Sequence, residues 1–288
     1  MSVELTQDQI KELLQGITIP PQPQIMVDLQ MEQLNPSPDI EAITKLISQD
    51  MGLAGSILKT VNSAFYGLTN KISSIAQAVQ LMGVNSVINL TNALSIRGEL
   101  SDEDIVTLGK FWDAAMDIAM VSAHIAKQIG YHSPDEAYTL GLFHHCSIPL
   151  LMKRFKNYQD VAKQAYEAEK PRIVDLENEV LLTNHAVVGY YIGKSWKLPS
   201  YICEAIHDHH SIHKVFAEGN TEDNNKKTLL AILKMAEHIC GNYRIIGQQD
   251  VDNEWNDISE AILLYTGLSQ YDFEGIIEQV HEQGLGYN

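Results

Sequence analysis

The stretch Ser133-Pro134-Asp135-Glu136-Ala137-Tyr138-Thr139-Leu140-Gly141-Leu142-Phe143-His144-His145-Cys146-Ser147-Ile148-Pro149 decides the fold class. It opens with a helix N-terminal signature: a serine to cap, proline at the first helical position, and a glutamate at the third that can reach back. The helix that follows carries His144 and His145, and Pro149 should break or bend the chain just beyond them. Outward from this segment the helical period recurs. Upstream lies a long helix, roughly Trp112 to Ile129, closed by Gly130. Before it, Ile75, Val79 and Met82 stand at i, i+4 and i+7, and Gly83 turns the chain into a second helix from Asn85 to about Ile96. Ser37 and Pro38 look like a cap and first helical residue, and Leu46, Ile47, Leu53, Ile57 and Val61 continue apolar faces up to a stop at Gly67. Ile25 to Leu34 is helical, and the prolines between Ile19 and Pro23 separate it from a short apolar face at Ile10, Leu13 and Leu14. Downstream, one helix from about Val174 to Trp196 holds His185. Pro199 opens the next, which runs into His207-Asp208-His209-His210. A polar loop spans Gly219 to Lys227, Leu229 to Cys240 is helical, and the chain ends near Gly284 and Gly286. No run of alternating strands interrupts this pattern, so the expected class is all-α. The acidic stretch Gly98 to Asp104 reads as a joint, giving an N-terminal helical part over 1–105 and a second helical part over 106–288.

Composition narrows the function. Of 288 residues, 45% are hydrophobic and 20% charged, which is enough apolar material for a large core. No window of 18 apolar residues is present, and Met1 to Gln15 lacks the basic start and apolar stretch of a signal peptide, so a membrane span is not expected and the cytoplasm is. Cys146, Cys203 and Cys240 are sparse and odd in number, as reduced buried thiols are. A formal net charge of −17 repels phosphate backbones, and Lys226-Lys227 is too small to make a basic patch. The segment Ala78 to Asn92 is therefore read as ordinary helix packing rather than a DNA-binding helix-turn-helix.

Eleven histidines are unevenly placed, ten of them at or after His132. His144-His145, the group His207, His209, His210 and His213, together with His185 and Glu237, fall on four predicted helices. Imidazole with carboxylate suits divalent transition metals, and ligands on separate helices can converge inside a bundle. The competing reading is equally ordinary: helical histidines are mostly surface residues or satisfied core groups. Cys146 beside them fits a lone buried thiol better than a soft ligand.

Several strings resemble the HDOD domain, an output domain related to the HD phosphohydrolases. They are Ile19-Pro20-Pro21-Gln22-Pro23, Leu46-Ile47-Ser48-Gln49-Asp50-Met51-Gly52-Leu53, and Val61-Asn62-Ser63-Ala64-Phe65-Tyr66-Gly67, the last being the most specific. Ser73-Ser74-Ile75 through Leu81-Met82-Gly83, Gly141-Leu142-Phe143-His144-His145, Trp196-Lys197-Leu198-Pro199, Ala205-Ile206 and His209-His210 continue the likeness. The resemblance covers about residues 18 to 241 as one unit. It implies an HD-like helical bundle preceded by an N-terminal helical bundle, working as a bacterial-type signal-transduction module.

The departures from the active HD pattern carry the chemistry. The resemblance implies a first histidine, a His-Asp pair, later histidines and a final aspartate. Here the first falls near Ala114, His144 is kept, the pair's aspartate becomes His145, and His185, His209 and His210 match the later histidines. Glu237 stands near the final aspartate, and Ser147-Ile148 replaces the Gly-Lys of active relatives. A neutral imidazole can ligate one ion but cannot bridge two or balance about four positive charges. A two-metal hydrolase is therefore not expected, and no residue is assigned a catalytic role. Two states stay open: a single divalent transition metal held by His145, His185, His209 and His210, with His144 and Glu237 beside it, or a vestigial site in which these side chains serve the core. No cofactor is required by this reading. The expected function is a non-catalytic regulatory module that binds a signalling protein or a small nucleotide, with no nucleic acid and no membrane. The alternative is a metal-dependent phosphohydrolase acting on a nucleotide or phosphoester.

Overall fold

In the computed structural model, residues 7–17, 24–49, 51–63, 66–69, 71–98, 109–167, 172–196, 198–216 and 224–286 are described. Among them every regular element is helical and there is no strand. After a short α1 (Gln7–Leu13), the first group comprises α2 (Gln24–Gln33), α3 (Ile40–Ser48), α4 (Met51–Val61), α5 (Ile75–Met82) and α6 (Val84–Gly98). These helices close around Leu29, Ile43, Ile47, Ile57, Val61, Val79 and Leu90. Ala78, Val79, Met82, Val87 and Ile88, the apolar face of the helix-turn-helix look-alike, are spent on that same core.

The second group begins with α7 (Gly109–Gln128) and α8 (Pro134–Phe143), followed by α9 (Ile148–Arg154), α10 (Tyr158–Glu167) and α11 (Ile173–Leu181). It continues through α12 (His185–Ser195), α13 (Ser200–Asp208), α14 (Ile212–Val215), α15 (Asn224–Ile239) and α16 (Asn242–Ile245), and ends with α17 (Asn253–Thr266) and α18 (Gln270–Glu282). Its core is separate and larger, and α8 sits at its centre, packed on α7, α13 and α15. Gly141 permits that packing: a Cβ there would lie 2.8 Å from Ala119 Cα and 2.8 Å from Ser122 Oγ on α7. Gly189 does the same between α12 and α13, where a Cβ would meet Ile206 at 2.9 Å. Leu14 and Ile17, just after α1, join this second core, and Arg154 Nε donates to Gln15 O at 3.1 Å. The α1 segment thus packs with the later helices rather than with its sequence neighbours. The joint placed near residue 105 and the Ile19–Pro23 string lie outside the described residues.

The two cores meet along α6 and α8, where the Asn89 amide binds the Thr139 hydroxyl and Met116 packs against both. The string Asn62 to Gly67 acquires a structural reason. The Asn62 side chain donates to Leu58 O (2.8 Å) and Ile72 O (2.7 Å) and accepts from Ile72 N–H (2.7 Å), stapling the end of α4 to the approach to α5.

Local signals differ from expectation at three points. Ser133 makes no side-chain cap: the Glu136 N–H donates to the Ser133 backbone carbonyl (3.0 Å), and the Glu136 carboxylate accepts from Tyr131 Oη (3.0 Å) instead of reaching back. Asp39, not Ser37, caps α3 by accepting from Glu41 N–H at 2.8 Å. The single helix expected over Val174 to Trp196 is two. Leu182 takes a left-handed conformation, and the Asn184 side-chain Oδ1 accepts from Val187 N–H (2.8 Å), restarting the helix at His185. Asn184 outcompetes helix propagation because a short amide side chain can satisfy a first-turn N–H that would otherwise be orphaned.

Candidate metal centre

Helix ends place the histidines. His144 is the C-cap of α8, and His145 follows in the turn that Pro149 closes by starting α9. His185 is the first residue of α12, made so by the Asn184 cap. His209 caps α13 and His210 follows it. All five side chains are inside the protein, none more than 4% exposed. One nitrogen from each of His145, His185, His209 and His210 falls within 4.8 Å of the others, and His144, His145 and Glu237 form a second such group. His185 Nε2 and His209 Nε2 face each other at 3.1 Å. Four imidazoles around a tetrahedral ion at about 2.0–2.1 Å would have nitrogens roughly 3.3–3.4 Å apart. His185 and His209 already stand near that spacing, and the other two ligand atoms lie within 4.8 Å of them. His207 and His213 face outward and pair with Asp208 (2.7 Å) and Asp257 (2.7 Å).

The far side of the His144, His185, His209 and His210 rings is already committed. Gly141 O accepts from His144 Nδ1 (2.8 Å) and Ile206 O from His209 Nδ1 (2.6 Å), which turns Nε2 of each ring toward the centre. His185 Nδ1 donates to Glu177 Oε2 at 2.7 Å, and His210 Nδ1 to Glu254 Oε1 at 3.1 Å. Carboxylates behind ligating histidines are the usual means of orienting them. On the near side, His210 Nε2 makes no hydrogen bond, and neither does Nε2 of His144 or His145, whose nearest acceptor is Glu237 Oε1 at 3.4 and 3.8 Å. Buried polar atoms without partners are costly, and a cation among them would supply what is missing. The donor set fits a divalent transition metal.

Electrostatics agree. Burial, then the neighbouring imidazoles and the Lys234 ammonium, hold His145 and His209 well below the ordinary histidine range. His210 is held down by burial and Lys234 against the opposing pull of Glu237 and Glu177. These rings are neutral at neutral pH, the form a metal takes. Burial pushes the Glu177 carboxyl up, but His185 and the Tyr158 hydroxyl (2.6 Å) outweigh it and leave it low. Burial likewise raises Glu237, and Lys234 and His144 bring it down to about 2. The Cys146 thiol is buried and pushed far up by that burial, so it stays protonated and outside both groups. Ala114 is buried on α7 and offers no donor.

Sequence reasoning named His144, His145, His185, His209, His210 and Glu237, and the structure brings them together. It missed Glu177, Glu254 and Lys234. A lysine inside the apolar run Leu229 to Cys240, one turn before Glu237, was the available signal for Lys234. Nothing marked Glu177, eight residues before His185 across a helix break.

Among the described residues, no helix is long and apolar enough to cross a membrane. A protein of Treponema pallidum (strain Nichols) is 26% identical over 199 residues, covering 67% of this chain and 38% of that protein. The chain thus spans well under half the length of that relative. Two solved structures share the fold. An HDOD domain protein from Geobacter sulfurreducens matches with TM-score 0.66 and 21% identity over 96% of this chain and 93% of its own. A Shewanella amazonensis SB2B protein with a provisional phosphohydrolase designation matches with TM-score 0.65 and 22% identity over 95% of each. The HDOD domain profile itself matches residues 19–212, more than half of the chain, from the proline string before α2 to the helix after His210, and the chain belongs to the HDOD family.

Proposed function

We propose that this chain is a non-catalytic regulatory module that holds one divalent transition metal between His145, His185, His209 and His210 and acts by binding a signalling protein. The observation that carries the metal reading is the convergence of four buried imidazoles from three separate segments, with His185, His209 and His210 each held by a hydrogen bond at Nδ1. Structural metal sites are closed by four protein ligands, whereas catalytic ones keep a position open for the reacting group. A bound ion would cross-link the α8–α9 turn, the start of α12 and the end of α13. Glu177 and Glu254 hold the rings of His185 and His210 for it. The exchange of the bridging carboxylate for His145 supports the non-hydrolytic reading. A protein partner rather than a small nucleotide is favoured by the chain's charge of −17, which repels phosphate.

The second reading is a metal-dependent phosphohydrolase; the Shewanella relative carries a provisional phosphohydrolase designation. The group His144, His145 and Glu237 is what favours it, since its carboxylate could serve a second ion. Purified protein assayed on cyclic dinucleotides, nucleotides and generic phosphoesters with manganese, iron or nickel decides between them. The regulatory reading expects no turnover above a histidine-depleted control. A rate that vanishes with chelator and returns with metal contradicts it.

A further inference from the structure

The group His144, His145 and Glu237 has a neighbour that bears on whether it can take an ion. Lys234 lies one turn before Glu237 on α15 and is 3% exposed, a rare place for an ammonium. Its Nζ is 2.8 Å from Glu237 Oε2 and 3.1 Å from Glu254 Oε2. The other oxygens of the same two carboxylates face histidines. Glu237 Oε1 is 3.4 Å from His144 Nε2 and also accepts from Asn242 Nδ2 (3.1 Å), while Glu254 Oε1 accepts from His210 Nδ1. Lys234 is therefore the hub of the acidic side of the centre. The formal charges make the point. One divalent ion and one ammonium bring three positive charges, and Glu177, Glu237 and Glu254 bring three negative ones. A second divalent ion would have to enter where an ammonium is already seated on the carboxylate it needs.

We infer that Lys234 sets the metal stoichiometry of this centre. Its ammonium takes, for Glu237 and Glu254, the place of a second divalent cation, so that the four-histidine group loads with His145 among its ligands, and the remaining pair, His144 and Glu237, takes no second ion. The inference rests on the single-metal reading above and adds to it a residue that determines the number of ions. The test is metal content of full-length protein, equilibrated with excess zinc and desalted, read by elemental analysis and native mass spectrometry. Wild type should hold one ion per chain and Lys234→Gln two. The Gln variant leaves two carboxylates without their cation, so a second variant, Lys234→Gln with Glu254→Gln, removes the ammonium together with one of its partners and keeps the net charge of the cluster unchanged. It too should rise from one ion to two, with circular dichroism matching wild type. One ion in wild type and one in the folded double variant overturns the role of Lys234 and leaves the single-metal reading standing. No ion in wild type overturns the single-metal reading, and the inference with it.

Discussion

Replacing Glu177 by Gln tests whether the four-histidine group is built to hold a metal or merely packed. Glu177 is wholly buried and touches no candidate metal position. Its carboxylate accepts three hydrogen bonds, from Tyr158 Oη (2.6 Å), His185 N–H (3.0 Å) and His185 Nδ1–H (2.7 Å). Glutamine has nearly the same shape. Its carbonyl oxygen can take both His185 donors, and its amide can donate to Tyr158 Oη once that hydroxyl rotates. What is lost is the charge. Charge-assisted bonds contribute about 1.5–3 kcal/mol each and neutral ones about 0.5–1.5. The relief of no longer burying an anion offsets part of the difference, so stability should fall by only ~1–2 kcal/mol. The imidazole, by contrast, loses the charge-assisted hydrogen bond that orients it. Orienting carboxylates of this kind are worth roughly 10–100-fold in metal affinity. Zinc affinity measured by competition with a chromophoric chelator should therefore drop by about one to two orders of magnitude, while the apo protein keeps its helical spectrum. Tyr158→Phe, which leaves the His185 bonds in place, should lose far less. Unchanged zinc affinity in Glu177→Gln would refute the reasoning.

Three further outcomes follow from the geometry. Burial, then repulsion by Asp113 against a weaker pull from Lys59, raises the Asp117 carboxyl from 3.8 to about 6, so its ionised form is disfavoured in the fold. A raised acid lowers stability as pH climbs through the interval from about 4 to 6 and leaves it unaffected below. Asp117→Asn should therefore stabilise by ~1–2 kcal/mol at pH 7.5, after discounting for solvent, with the gain vanishing below pH 4 in denaturant titrations. An equal gain at both pH values would contradict this. Gly141→Ala forces a methyl into the backbone of α7 and should cost about 2–3 kcal/mol by chemical denaturation, and a neutral result would mean the α7–α8 contact is looser than described. Asn62→Ala removes the staple on Ile72 and should cost about 2–3 kcal/mol, lowering the melting temperature; no shift would show that the string owes its form to something else.

The helical class and most helix positions were legible because apolar period and proline–glycine punctuation are local. So were the candidate ligands, because they stand in recognisable strings. Cap choice was less legible. Ser133 and Ser37 are good caps in isolation, but Tyr131 claimed Glu136 and Asp39 lay nearer the true start of α3. The break before His185 was hidden for a related reason: Leu182 in a left-handed conformation has no sequence signature, and the Asn184 cap carries the only hint. Glu177 and Glu254 could not be found by spacing, and Lys234 was marked only by its place in an apolar run. Glu177 and Glu254 reach the histidines across helix boundaries, so their roles exist only once α11 packs on α12 and α17 on α15.

X-ray absorption at the zinc edge of metal-loaded, full-length protein tests the central claim most directly. A single ion among His145, His185, His209 and His210 predicts four nitrogen scatterers at about 2.0–2.1 Å, with imidazole outer-shell features. It also predicts no metal–metal vector in the ~3.5–4 Å range where paired catalytic ions stand. A metal–metal vector at that distance, or a first shell dominated by oxygen or sulfur, would contradict the account.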